Sequence, residues 1–309
     1  MPYLETPSLN VHYETAGKGR SVVVLLHGNF ATSRWWKLVL ARAPKQFTIY
    51  APTLRGFGET KSPAHARSIH DLAHDVRAFA RGLGVRRFHL VGHSLGGAVA
   101  LQYALSWPET LRGLGLVAPA PGDGLEAMRS RPDSLGRLLA WTDPAWPTSR
   151  MALASALAWG RIFGGYRLSI AHALARMMPS ADPEAVGFNA LVADAVSVTD
   201  GVLIDIYEAL RHWDVRPLLA SLDVRTRILA GRRDALVSLA SLEALAGAMP
   251  RAQLDVWDGV GHSPQLEDPD AFAAWLAHAT ESRLGAAWRA LVARLRATVA
   301  SSRRRRSAS

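Results

Sequence analysis

Short apolar, β-branched runs alternate with longer helix-compatible segments from residue 9 to about residue 120, and this rhythm constrains the fold more than any other feature of the chain. The run SVVVLL at 21–26 is continuously apolar, as a strand covered on both faces requires. FTIYAP, RFHLVG and LRGLGLVAP repeat the pattern, separated by TSRWWKLVLARA and by helical segments at about 69–83 and 95–106. An α/β fold follows, with a mostly parallel central sheet and helices on both faces. Upstream, LNVHYETA and the turn AGKGR predict a hairpin that leads into 21–26.

The rhythm breaks at about residue 121. Up to 214 only helix-compatible segments occur, and they hold Trp141, Trp146, Trp159, Phe163, Tyr166, Phe188 and Trp213. VRTRILAG, a helix at about 239–249, AQLDVWD and DPDAFAAWLAHA then restore the alternation. The sequence therefore predicts a core domain of residues 1–120 and 215–282, an inserted helical cap at 121–214, and a tail at 283–309. An insertion in this place would sit over the carboxyl edge of the strands, where open α/β sheets bind ligands. Most of its aromatic residues would form its own core, and the rest would line a pocket.

Within 309 residues there is no cysteine, which removes disulfides, a thiol nucleophile and Cys-ligated metal from consideration. The first residues lack the basic start and apolar stretch of a secretory signal, and MALASALAWG at 151–160 is too short to span a bilayer, so a cytoplasmic protein is expected.

FHLVGHSLGGAVALQYA at 88–104 sets one serine between glycines where a strand meets a helix, in the pattern G-x-S-x-G at 92–96. A turn of this type strains the backbone of Ser94, while Gly92 and Gly96 let strand and helix approach. The helix N-terminus favours negative charge developing near the Ser94 hydroxyl. That hydroxyl is a weak nucleophile, so it needs a base and a residue that orients the base. Asp234 in GRRDALV and His262 in GVGHSPQLEDP each follow a strand, which places both on the same sheet edge as Ser94. Asp123, after LGLVAPAPG, is the alternative acid; Asp234 is preferred because it lies one strand-helix unit before His262. VVVLLHGN puts His27, Gly28 and Asn29 at a further strand end, where the backbone N–H groups of Asn29 and Leu95 can converge on a carbonyl oxygen as it becomes anionic. His27 is read as support for this loop, and His93 as packing against the turn. No histidine spacing of the H-E-x-x-H kind occurs, and neither a metal nor a cofactor is expected.

Over residues 9–280 the chain resembles the α/β-hydrolase superfamily, and within it the esterase, lactonase and cofactor-free haloperoxidase branch. The resemblance rests on HGN at 27–29, LRGFGET at 54–60, GHSLGG at 92–97, GRRD at 231–234 and GH at 261–262. It implies a Ser94–Asp234–His262 triad, oxyanion donors at Asn29 and Leu95, and cleavage of a small-molecule ester or lactone through an acyl group on Ser94. The same triad also serves acyl transfer, perhydrolysis and carbon-carbon bond hydrolysis, and receptor-like members bind a ligand with little turnover; these alternatives stay open. Dehalogenases and epoxide hydrolases of the superfamily carry Asp where this chain has Ser94, so halide abstraction is not expected. HGNFAT matches neither the HGxGPG loop of carbon-carbon hydrolases nor the HGGPG loop of prolyl iminopeptidases. Thr53 stands where many relatives carry Asp.

The net charge of +10 is concentrated in the tail, because residues 283–309 hold eight arginines and no acidic residue, which leaves +2 for the body. Basicity of the whole chain is therefore no sign of a nucleic-acid partner, and none is expected. Leu284, Trp288, Leu291, Val292, Leu295 and Val299 share one helical stripe, followed by RRRR at 303–306. Such a tail docks on the body or another subunit, stays solvated, or contacts an anionic membrane surface or polyanion. Co-sedimentation with anionic vesicles separates these outcomes. Membrane contact predicts that the full chain pellets and a 1–282 truncation does not, whereas a docked or solvated tail predicts equal pelleting.

Overall fold

The computed structural model describes residues 2–123, 158, 160–162 and 164–280. Eight strands form one sheet: β1 (Tyr3–Glu5), β2 (Asn10–Ala16), β3 (Ser21–Leu26), β4 (Phe47–Pro52), β5 (Phe88–His93), β6 (Leu111–Val117), β7 (Thr226–Gly231) and β8 (Ala252–Trp257). Their spatial order is β1-β2-β4-β3-β5-β6-β7-β8. Every neighbouring pair from β4 to β8 is parallel, and β2 runs antiparallel to both β1 and β4. The helices used below are α1 (Lys37–Ala41), α2 (Ile69–Gly82), α3 (Leu95–Ser106), α4 (Tyr166–Met177), α5 (Pro183–Val186), α6 (Phe188–Ser197), α7 (Asp200–Arg211), α8 (Leu239–Ala248), α9 (Pro264–Glu267) and α10 (Pro269–Ala279).

The continuous apolar run of β3 explains the two layers of helix. Its side chains alternate between faces. Val24 and Leu26 join the core that α2, α3 and α8 cover, whereas Val23 and Leu25 join a second core with Trp36, Val39, Phe272 and Leu276 from α1, α10 and the turn before α1. Val23 to Leu26 are buried on both faces, which is why no polar residue interrupts them, while the half-buried start of the strand accepts Ser21. α2 begins at a reciprocal cap in which the Ser68 hydroxyl accepts from Asp71 N–H and the Asp71 carboxylate accepts from Ser68 N–H.

The hairpin expected between 10–16 and 21–26 does not form. β4 lies between β2 and β3 and pairs with both. The turn at Gly17–Gly19 crosses the start of β4: Gly19 and Ser21 N–H donate to the carbonyls of Phe47 and Gln46 at 2.9 and 3.1 Å. A Cβ on Gly19 would lie 2.0 Å from the Gln46 carbonyl carbon, so only glycine fits there. The expected single helix at TSRWWKLVLARA is instead a 3₁₀ turn at Ser33–Trp36 followed by the short α1.

Between β6 and β7 lie helices α4 to α7. The chain leaving β6 and the chain returning toward β7 meet at a backbone bridge between Asp123 and Asp214. Trp213 belongs to the main core rather than to a separate one, and its Nε1 donates to Gln102 Oε1 at 2.9 Å. Tyr166 is buried and Phe188 is half-buried. Trp141, Trp146, Trp159, Phe163 and the amphipathic stripe of 283–309 lie outside the described residues. Among the described residues no helix is long and apolar enough to cross a membrane.

Two glycine substitutions should differ in sign. A Cβ on Gly92 would lie 2.0 Å from the Gly96 carbonyl oxygen, a backbone atom, so Gly92→Ala is expected to lower the unfolding free energy by about 3 kcal/mol. Gly247, in α8, has no neighbour within 4 Å, so Gly247→Ala should raise it by about 0.5–1 kcal/mol. Urea denaturation of both variants checks this.

Candidate active site

β5 ends at His93 and α3 begins at Leu95, so one residue must turn the chain. Ser94 does so at φ +52° and ψ −115°, a conformation that L-residues rarely adopt. Its N–H donates to the Val117 carbonyl at 3.0 Å, and its own carbonyl accepts from Gly97, Ala98 and Ala120 N–H at 2.9, 3.2 and 3.1 Å. Three glycines bring the surroundings into contact. The hydrogen side of Gly92 faces the Gly96 carbonyl, that of Gly96 faces the carbonyls of Leu26 and His27, and a Cβ on Gly28 would lie 3.1 Å from Ser94 Cβ. Strand, helix and the 27–29 loop thus close around Ser94, which is half-buried at the N-terminus of α3.

Asp234 and His262 lie in the loops after β7 and β8. His262 Nδ1–H donates to Asp234 Oδ2 at 2.8 Å, with both side chains at most 2% exposed. Asp234 Oδ1 accepts from Leu236 and Val237 N–H at 2.7 and 3.0 Å. Burial alone would raise the Asp234 carboxyl, but the facing His262 and the two backbone N–H groups hold it below the ordinary carboxylate value. With Nδ1 committed as donor, Nε2 carries the lone pair. Nε2 is buried and has no hydrogen-bond partner among the described residues.

The His262 loop is bound to the turn at Ser94 by its neighbour. His93 Nε2–H donates to the His262 carbonyl at 2.8 Å, and the two rings are 4.9 Å apart. Trp35 also stacks on His93, with ring centroids 5.9 Å apart. Burial, followed by the adjacent His262, lowers the His93 pKa to about 3. His27 Nδ1–H donates to the Gly28 carbonyl at 2.8 Å while its Nε2 accepts from Leu54 N–H at 2.9 Å. Burial lowers its pKa to about 4, so His27 stays neutral and ties the 27–29 loop to the end of β4. Asn29 Oδ1 accepts from Phe30 N–H at 2.9 Å, and Phe30 itself has φ +60°. Leu95 is the first residue of α3, where N–H groups lack intrahelical partners.

Asp123 sits at the bridge with Asp214, where the insertion leaves and rejoins the core, while Asp234 occupies His262 Nδ1. Thr53 accepts from Ser33 N–H at 3.1 Å and lies 3.3 Å from His12 Nδ1. Sequence reasoning missed Glu267 and Asp194. Glu267 accepts from the N–H groups of Gly261 and Ser263, on either side of His262. An acid five residues after the histidine of a Gly-His pair, in GHSPQLE, is the available signal. Asp194, on α6, accepts from Thr32 Oγ1 at 2.8 Å and Arg34 Nε at 2.9 Å, and no local pattern announces a contact across 160 residues. A groove of about 410 Å³ lined by Arg87, Arg112, Asp223 and Arg225 lies at the opposite edge of the strands and shares no residue with this cluster.

A family model described as "Alpha/beta hydrolase family" matches residues 23–275. Over 277 residues the chain is 27% identical to a 2-hydroxy-6-oxo-6-phenylhexa-2,4-dienoate hydrolase of Burkholderia cepacia, covering 86% of this chain and 89% of that one. Among solved structures, a thermophilic esterase from Thermogutta terrifontis superposes with a TM-score of 0.71 at 23% identity, covering 91% of this chain and 99% of that one. An enol-lactonase from Burkholderia xenovorans LB400 gives a TM-score of 0.69 at 21% identity, with coverage of 90% and 98%. At these identities the two structures share the fold.

The buried histidines make stability depend on pH. His27 and His93 are neutral when folded but have an ordinary pKa near 6.5 when unfolded, so the unfolded state binds more protons below that value. Their stabilising effect is complete above pH 6.5 and is lost as pH falls toward about 4 for His27 and about 3 for His93. Between pH 7.5 and 5 each should cost about 2 kcal/mol of unfolding free energy. Asp234 does not interfere, since its contribution is lost only below its unfolded value of 3.8. Urea titrations at the two pH values should show the fall, and equal unfolding free energies would contradict it.

Proposed function

The chain belongs to the alpha/beta hydrolase family, and from that premise we propose that it is a serine hydrolase that cleaves a carboxylic ester or lactone through an acyl intermediate on Ser94. The observation that carries this reading is the buried Asp234–His262 pair, with Nε2 unpartnered among the described residues, bound through His93 to a strained serine at the end of β5 on the same sheet edge. In this reading His262 Nε2 takes the Ser94 proton as the hydroxyl oxygen bonds to the substrate carbonyl carbon, and later returns it to the leaving alcohol oxygen. Asp234 holds the imidazole tautomer. The N–H groups of Asn29 and Leu95 stabilise the oxyanion, each worth roughly 10²–10³ in rate. Water then attacks the acyl carbon and regenerates Ser94.

The insertion at 121–214 is the cap in this reading. Contacts from α4 to the His262 loop, from α6 to Thr32 and Arg34, and from Val202 of α7 to Gly56 support it, because they set these helices against the loops that surround Ser94. A small molecule with an apolar acyl or alcohol group suits an insertion so rich in aromatic residues. A second reading has one specific support: the Burkholderia cepacia relative is a hydrolase of a compound whose name contains no ester. Carbon-carbon bond hydrolysis by the same three residues would then be the reaction.

Turnover of p-nitrophenyl esters of graded acyl length tests the proposal. Wild type should hydrolyse the shorter members, Ser94→Ala should lose at least about 10⁴-fold in kcat, and Asp234→Asn on the order of 10⁴-fold. No turnover of any ester or lactone by folded wild type would overturn ester cleavage, and turnover of a dienoate ketone in its place would favour the second reading.

A further inference from the structure

We propose that Glu267 is a positioning residue that fixes the His262 loop and ties it to the 177–180 segment of the insertion, so that the seating of the insertion sets the reach of His262 Nε2. This rests on the reading of His262 as the base.

Glu267 closes the single turn of α9, and its carboxylate bends back over the loop that carries His262. It accepts from Gly261 N–H on both oxygens at 2.9 Å and from Ser263 N–H at 3.2 Å, the residues on either side of the histidine. The same carboxylate accepts from Ser180 N–H at 3.2 Å and Ser180 Oγ at 2.6 Å, and Ser180 belongs to the loop after α4. Hydrogen bonds to an ionised acceptor are about twice as strong as neutral ones, so one side chain joins two separate backbone segments, the loop at 261–263 and Ser180.

The rest of the loop is held by the same neighbours. His262 N–H donates to the Met177 carbonyl at 2.7 Å, and a Cβ on Gly261 would lie 2.5 Å from Pro179 Cδ and 2.9 Å from the Met177 oxygen. The Ser180 hydroxyl also reaches the Gly259 carbonyl at 3.0 Å. The backbone N–H of His262 is thus satisfied by the insertion, its carbonyl by His93, and the N–H groups flanking it by Glu267. Asp234 fixes the rotation of the ring, while Glu267 and Met177 fix where the ring is mounted. A displacement of the 177–180 segment moves that mount, and a shift of about 1 Å in a reacting group costs on the order of 10²-fold in rate.

Two substitutions and two readouts test this. Glu267→Gln keeps the size but replaces one acceptor oxygen with a donor, and Ser180→Ala removes only the hydroxyl link to the insertion. Kinetics on a p-nitrophenyl ester is one readout; the other is the proton NMR resonance of His262 Nδ1–H on histidine-labelled protein, which needs no turnover. Glu267→Gln should lower kcat roughly 10- to 100-fold with KM nearly unchanged, and should shift or broaden the Nδ1–H resonance. Ser180→Ala should move both readouts in the same direction by less. Wild-type kcat and an unmoved resonance in both folded variants overturn the proposal, and a loss in Glu267→Gln with Ser180→Ala at the wild-type rate overturns the tie to the insertion. If Glu267→Gln does not fold, Ser180→Ala decides. If wild type cleaves no ester, the functional reading fails by itself, and the resonance alone judges the positioning of His262.

Discussion

The hydrogen bond from His93 Nε2 to the His262 carbonyl joins the two ends of the candidate site, and the rest of the arrangement depends on it. β5 and β8 are separated in the sheet by β6 and β7. Three strand spacings amount to about 14 Å, too far for a serine and a histidine that simply continue their own strands. The loop after β8 must therefore fold back across the sheet edge, and His93 is where it is caught. Burial keeps this imidazole neutral, and Trp35 stacks on it. A residue adjacent to the serine thereby locates the backbone of the histidine.

Strain and packing balance locally at Ser94. A non-glycine residue at φ +52° costs on the order of 1–3 kcal/mol, and it persists because the carbonyl of Ser94 is held by three N–H groups while Gly92 and Gly96 admit backbone on both sides. The helices between β6 and β7 are attached mainly by apolar packing: Val202, Leu203, Ile206 and Trp213 join the main core, and Leu174, Leu191 and Val192 pack with Ala31, Trp35 and Leu266, while polar contacts add less. The Arg34–Asp194 ion pair is partly exposed, and pairs of that kind contribute at most about 1 kcal/mol. The insertion touches both the loop beside Asn29, through Asp194, and the loop bearing His262, through Met177 and Ser180. Its position is thus communicated to both sides of Ser94.

Much of this was legible in the sequence because it is local. Strand lengths follow from apolar runs, and the turn at Ser94 follows from glycines two residues away on either side. Strand order was not legible. The Gly17–Gly19 turn has the composition of a hairpin, yet its glycines serve to pass close over Gln46 and Phe47, a contact between segments nearly thirty residues apart. β1 escaped notice because three residues carry no periodicity. The partners of the His262 backbone were hidden for the same reason: Met177 and His93 contribute a carbonyl and a ring nitrogen from distant segments, and a backbone carbonyl leaves no trace in the residue type. The same holds for Thr53, whose bond to Ser33 N–H joins segments twenty residues apart.

The central claim is that Ser94 is the nucleophile, and its reactivity can be read without knowing the natural substrate. Incubating the full chain with an alkyl fluorophosphonate and mapping its peptides by mass spectrometry measures this directly. The account predicts a single covalent adduct on the peptide that contains Ser94, forming much more slowly in His262→Gln. An unmodified Ser94, or an adduct formed at the same rate without His262, would contradict it.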